Sequence, residues 1–290
     1  MSQPVVNIDT GTPFFLDAGS RRLFAIFLKA NPEVDFQGGL LHCPAFGEEM
    51  NKSRAMVLSQ ARALAEQGYD VLVPDYFGTG DSYGDFCEAS WTIWLEDMTA
   101  CLSWLQQQQS AAITLWGLRL GGLMAMELAS QATADISRLL LWNPVLQGEQ
   151  YILQFLRLRL VNSMMQGERK EKVSDLIELI ERDGVIDVAG YELSKAMFSE
   201  VSGRKAQTLV TELNSSIDVL WLDVASQLKT LPVPTQKLLD QLDEAGHRVT
   251  IKQLDGPQFW ATQEISRADT LITATCECLS SEPRQAQVCS

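Results

Sequence analysis

The chain has 290 residues, 46% hydrophobic and 21% charged, which excludes a disordered chain and leaves room for one large domain or two small ones. Its 23 basic and 37 acidic residues give a formal net charge of -14, which argues against nucleic acid or an anionic membrane surface as the main partner. Only two histidines are present, His42 and His247, so any mechanism with a histidine base has two candidates.

Residues Met1 to Pro13 carry neither a basic stretch nor an apolar core of signal-peptide type. Arg22 to Ala30 reads as a strand, and Gly38 to Cys43 as a second, apolar one. Ser53 to Gln67 reads as a helix stopped by Gly68, followed by a strand from Tyr69 to Pro74. Trp91, Trp94, Met98, Cys101, Leu102 and Leu105 fall at helical spacing. Ala111 to Trp116 is a strand, Leu120 to Ala129 a helix apolar on nearly all sides and hence buried, and Arg138 to Trp142 a strand. Two later strands, Ile217 to Leu222 and Val249 to Leu254, flank a helix marked by Leu238, Leu239 and Leu242. A last helix carries Ile265, Ala268, Leu271, Ile272, Cys276 and Leu279, and Glu282 to Ser290 reads as a loose tail.

Continuous apolar strands separated by helices predict an α/β fold with a mostly parallel sheet covered on both faces. The stretch 148–207 breaks the alternation, with helical periodicity, no strong strand and a solvated charge patch at Glu168 to Lys172. It reads as a helical lid insertion between a core made of 1–147 and 208–290. Its apolar positions Leu153, Phe155, Leu156, Leu158, Leu160 and Val161 either pack on the core or line an apolar ligand channel. No apolar run reaches the roughly 18 residues of a membrane span. The six cysteines form no paired framework, and Cys276 and Cys278 are too close for a zinc-type pair, so free thiols in a reducing, cytoplasmic compartment are expected. No metal or other cofactor is implied.

The most informative motif is Gly117-Leu118-Arg119-Leu120-Gly121-Gly122, after a strand and before the buried helix. Strand, G-x-X-x-G, helix is the context of a nucleophile elbow, whose middle residue is thrust out at the C-terminal edge of the sheet. That residue is Arg119, which stays protonated and cannot attack a carbonyl. At a helix N-terminus it suits a carboxylate or phosphate instead. It pairs either with a ligand or internally with Glu48, Glu49 or Asp81, because a buried arginine with no anion is too costly.

The other loops expected at that edge follow the same plan. His42-Cys43-Pro44-Ala45-Phe46-Gly47 occupies the place of an oxyanion loop, and Glu48, Glu49, Asn51, Lys52, Ser53 and Arg54 follow it as a polar cluster entering a helix. Asp75 to Ser82 forms a glycine-rich turn. Asp223 stands where a triad acid is expected. No histidine follows the last strand, which ends at Asp255-Gly256-Pro257-Gln258-Phe259-Trp260. His247 precedes that strand and is expected at the surface, roughly 30 Å from the catalytic edge. His42 lies at the correct edge and either braces its loop or acts as a base for Cys43 or Ser53.

The combination of Phe46 to Arg54, Gly78 to Ser82, Leu115 to Gly121 and Gly256 to Trp260 is similar to the second α/β-hydrolase-like family of the exosortase A system, over nearly the whole chain. The resemblance implies an α/β-hydrolase fold, a hydrolase by name, and a setting of bacterial exopolysaccharide production and PEP-CTERM protein sorting. Arginine at the elbow matches that family's pattern.

Three functions follow as expectations. In the first, an anionic or acyl-bearing small molecule binds at Arg119, with Leu120, Phe46, Glu48, Glu49, Asn51, Lys52 and Asp81 around it. In the second, the protein is an active hydrolase or acyltransferase using His42 with Cys43 or Ser53, and Asp223 as the acid. In the third, it is a non-catalytic module that pairs with a pathway protein or a second copy through the insertion.

Overall fold

A computed structural model describes residues 11–108, 111–165, 171–213, 216–226 and 230–280, with 162–165 described by backbone alone. The expected charge patch at 168–172 falls largely outside these residues, and the tail at 282–290 entirely so.

One eight-stranded sheet runs through the molecule in the order β1-β2-β4-β3-β5-β6-β9-β10. These strands are β1 (Thr12–Ala18), β2 (Arg21–Leu28), β3 (Gly38–Cys43), β4 (Tyr69–Pro74), β5 (Ile113–Leu118), β6 (Ile136–Trp142), β9 (Asp218–Ala225) and β10 (Arg248–Asp255). From β4 to β10 every pairing is parallel, whereas β2 is antiparallel to both β1 and β4. Strands β3 and β5 are buried along their whole length, as a sheet covered on both faces requires. One face packs on α2 (Trp91–Gln108) and α3 (Leu120–Gln131), the other on α1 (Glu48–Glu66) and α9 (Asp269–Ser280). Helix α8 (Val233–Glu244) joins β9 to β10.

Several expectations change. Helix α9 begins at Asp269, so Ile265 and Ala268 precede it, and Ile265 is exposed. Strand β1 is an additional antiparallel edge strand. Helix α1 begins at Glu48 rather than Ser53, because Gly47 turns the chain at φ 55° and two glutamates fill a first turn that favours negative charge. The insertion is not purely helical. Besides α4 (Gly148–Met165), α5 (Val173–Asp183), α6 (Lys195–Ser202) and α7 (Ala206–Thr211), it holds a hairpin of β7 (Val185–Val188) and β8 (Tyr191–Ser194).

The insertion is pinned at its neck and along its length. Gly148 donates its N–H to the Arg204 carbonyl, and Ala206 to that of Leu146. Arg204 grips the buried Glu127 of α3 at 3.2 Å, and the same carboxylate accepts the Trp91 indole N–H at 2.7 Å. Of the apolar positions expected to pack, Phe155 and Leu156 are buried in the core, while Leu158 and Val161 are exposed.

Candidate functional site

The site forms where the C-terminal ends of β3, β5, β6, β9 and β10 meet, the usual ligand edge of an open parallel sheet. Arg119 joins β5 to α3 at φ 55° and ψ -119°, a backbone region that side-chain-bearing residues rarely adopt. The flanking glycines are needed for space. A Cβ on Gly117 would lie 2.5 Å from the Gly121 carbonyl oxygen, and one on Gly121 would run into the Cys43 and Pro44 carbonyls. Helix α3 is thus pressed onto the β3 loop, and the Arg119 side chain is forced outward.

Each part of the guanidinium has a different neighbour. Its Nε donates to Glu49 Oε1 at 3.3 Å and its Nη1 to the Asn143 carbonyl at 3.1 Å. Its centre stands 5.2 Å from the ring centroid of Trp260. Among the described residues Nη2 makes no hydrogen bond. Glu49 is held in turn by the Tyr151 hydroxyl, which donates to Oε2 at 2.8 Å. Burial first, and the Glu49 charge second, push the Tyr151 hydroxyl far above its usual range, so it stays a donor.

A cavity of about 160 Å³ opens beside this group, lined by Phe46, Glu48, Glu49, Arg119, Tyr151, Gln154, Phe155 and Leu158. Helix α4 supplies Tyr151, Gln154, Phe155 and Leu158 from one face, at i, i+3, i+4 and i+7. Phe46 meets Tyr151 and Phe155 edge-on, with ring centroids 6.0 and 5.0 Å apart. Phe46, Phe155 and Leu158 supply its apolar wall, and Glu49 with the Tyr151 hydroxyl stands beside Arg119. Leu120, the first residue of α3, does not line the cavity; it is buried in the core.

The other expected site residues fall at varying distances from this cavity. Glu48 is on its rim, where Oε2 accepts from the Tyr191 hydroxyl at 3.1 Å. Asn51 also bonds Tyr191, at 2.9 Å, and is exposed. Lys52 does not line the cavity. Asp223 stands on β9 near the site, accepting the Trp221 indole N–H at 3.0 Å. Burial raises its carboxyl, while the Trp221 bond and the Arg119 charge pull it back. Asp81 is not among the neighbours of Arg119. Its backbone N–H binds the Asp75 carboxylate, and the loop is tied to β2 through Ser82, so it folds away from the elbow.

His42 is not placed to serve as a base. Alternation along β3 turns its ring under α1, 4.4 Å from the Trp116 ring, while Cys43 faces the opposite helical layer. Burial, helped by the Arg54 charge and opposed by a Trp116 backbone bond, pushes its pKa down to about 3. Its Nδ1 has no partner among the described residues. Ser53 donates to the Met50 carbonyl at 3.0 Å, and burial raises the Cys43 thiol far beyond its usual range. Neither resembles an activated nucleophile. His247 precedes β10 as expected but is buried rather than exposed, with 4% of its surface accessible. After the turn at Gly246 its ring folds back so that Nδ1 accepts the Ile217 N–H at 3.2 Å.

Three residues that position the site carry no role in the sequence reading: Asn143, Tyr151 and Trp260. Asn143, at φ 42°, bridges β6 to β9, with Oδ1 accepting the Val224 N–H at 2.8 Å. Its position just after a strand and before Pro144 is the only local signal. Among the described residues no three His, Cys, Asp or Glu side chains converge as metal ligands, and no helix is long and apolar enough to cross a membrane.

The sequence pattern of the Hydrolase_4 family, described as "Serine aminopeptidase, S33", matches residues 27–184. The chain belongs to this family. Its fold is that of the α/β hydrolases, and solved members of that fold superpose over almost the whole chain. Est1E from Butyrivibrio proteoclasticus, with ferulic acid bound, is 17% identical with a TM-score of 0.64, covering 92% of this chain and 97% of its own. A thermostable carboxyl esterase from Bacillus coagulans is 15% identical with a TM-score of 0.62, covering 93% and 97%. Proline iminopeptidase from Mycobacterium smegmatis is 14% identical with a TM-score of 0.58, covering 92% and 97%. No curated protein matches the chain.

Proposed function

We propose that this family member binds a small molecule carrying an acyl or anionic group at Arg119, and that Arg119 takes the place of the nucleophile, so that no Ser–His hydrolysis occurs. The carrying observation is the Arg119 guanidinium itself. It stands on the strained elbow, fixed by Glu49, Asn143 and Trp260, with Nη2 unbonded among the described residues and the side chain lining a cavity shared with Phe46, Phe155 and Leu158. Catalysis by the fold's usual route needs an elbow nucleophile and a base after the last strand. Here those places hold Arg119 and the segment containing Trp260. The motif resemblance supports a role in the exosortase A and exopolysaccharide system, in the cytoplasm, with the insertion as the lid over the cavity.

Ferulic acid, bound by the structurally similar Est1E, supplies probes of a suitable kind: ferulate, its amide and its methyl ester. Titration calorimetry of the wild type is expected to show binding of at least one probe, and Arg119→Ala to weaken it by about tenfold or more through loss of a strong hydrogen bond. Methyl ferulate is expected to remain uncleaved. Equal affinity in both proteins, or steady ester turnover by the wild type, contradicts the reading.

A second reading, docking of a pathway protein or a second copy on the insertion, is favoured by Leu158 and Val161, which are 45% and 53% exposed. Sedimentation of the wild type and of Leu158→Glu tests self-association. A single species at all concentrations removes the homodimer.

A further inference from the structure

The geometry points to Glu49 as the residue that sets the charge of the ligand's head, so that the site takes an uncharged acyl group, an ester or amide, in preference to a free carboxylate. This rests on the proposed binding at Arg119 and decides between the two kinds of head group it allows.

Arg119 is already matched by a carboxylate inside the protein, at 3.3 Å, before any ligand arrives. That carboxylate is fixed from its other oxygen by the buried Tyr151 hydroxyl at 2.8 Å and stands in the first turn of α1, where negative charge is favoured. Displacing it would break both contacts. Glu48 lines the same cavity, and Asp223 is close enough to feel the Arg119 charge. One guanidinium is therefore paired with one carboxylate and has two further carboxyl groups in its surroundings. A ligand carboxylate entering beside Arg119 would meet like charge in a partly enclosed cavity and find one nitrogen of each guanidinium fork already engaged, by Glu49 at Nε and by Asn143 at Nη1. A carbonyl oxygen asks for less. It needs a single donor, and Arg119 Nη2 makes no hydrogen bond among the described residues. The rest of the cavity, formed by Phe46, Phe155 and Leu158, suits an aromatic or short aliphatic body.

Calorimetric titration of the wild type and of Glu49→Gln with ferulamide and ferulate tests this. The wild type is expected to bind the amide at least about tenfold more tightly than the acid, and Glu49→Gln to move that ratio by about tenfold or more towards the acid, because like-charge contacts decide specificity. The wild-type ratio stands alone if Glu49→Gln fails to fold. A wild type that binds the acid as well as the amide overturns the role of Glu49 while leaving binding at Arg119 intact. A wild type that binds neither overturns both.

Discussion

The Arg119 guanidinium lies 5.2 Å from the centre of the Trp260 ring, which stands in the loop after the last strand. In a Ser–His hydrolase those two loops bring nucleophile and base together. Here they bring a cation onto an aromatic face. A partly exposed contact of this kind contributes about 1 kcal/mol. Trp260→Leu is therefore expected to lower unfolding free energy and to weaken amide binding. Urea denaturation and titration of the same variant check both. A variant that binds with unchanged affinity shows that the ring does not orient Arg119.

The missing base predicts the outcome of putting a serine back. Arg119→Ser is expected to gain no ester turnover, because His42 lies buried under α1, away from the elbow, and burial makes it a weak base. Turnover of methyl ferulate by this variant would reveal a base that the described geometry does not contain.

Backbone strain at the elbow separates two truncations. With Arg119 at φ 55°, Arg119→Gly is expected to be more stable than Arg119→Ala by about 1 kcal/mol, since glycine enters this region without a Cβ clash. Denaturant unfolding measures the difference. Equal stability would mean that the turn relaxes once the side chain is gone.

Tyr151 ties the insertion to α1 through Glu49. Tyr151→Phe leaves a part-buried carboxylate oxygen short of a donor and is expected to cost about 1–2 kcal/mol. Glu49 keeps its charge in this variant, so the preference for amide over acid is expected to persist. Loss of that preference would assign specificity to the hydroxyl rather than to the carboxylate.

His42 sets an acid limit on stability. Its folded pKa of about 3 lies below the unfolded value of 6.5, so the unfolded chain binds the proton first. The stabilisation is fully present above 6.5 and is lost as pH falls towards 3. Between pH 6.5 and pH 4 the loss is on the order of 3 kcal/mol. His247, also lowered by burial, acts with the same sign. Melting curves of the wild type and His42→Gln across this range are expected to converge at low pH. Parallel curves would show that His42 takes up its proton in the folded state.

The parallel strands were legible because strands buried on both faces must be apolar throughout. Gly38 to Cys43 and Tyr69 to Pro74 coincide with β3 and β4. The elbow was legible because Gly117 and Gly121 answer a steric demand that no other residue meets. The β7–β8 hairpin left a fainter mark. Its turn, Ala189-Gly190, has both residues at positive φ, as a type I′ turn requires, but only Gly190 advertises it. The burial of His247 depends on the Ile217 N–H, distant in sequence, and no local pattern carries it. The same holds for the Glu49–Tyr151 tie, which joins helices on opposite sides of the elbow.

A crystal structure of the protein with ferulamide at saturating concentration shows whether Arg119 receives an acyl oxygen. The amide oxygen is expected within hydrogen-bonding distance of Arg119 Nη2, the ring against Phe46 and Phe155, and the Arg119–Glu49 pair intact. A ligand bound elsewhere, or a cavity that stays empty under those conditions, would contradict binding at Arg119.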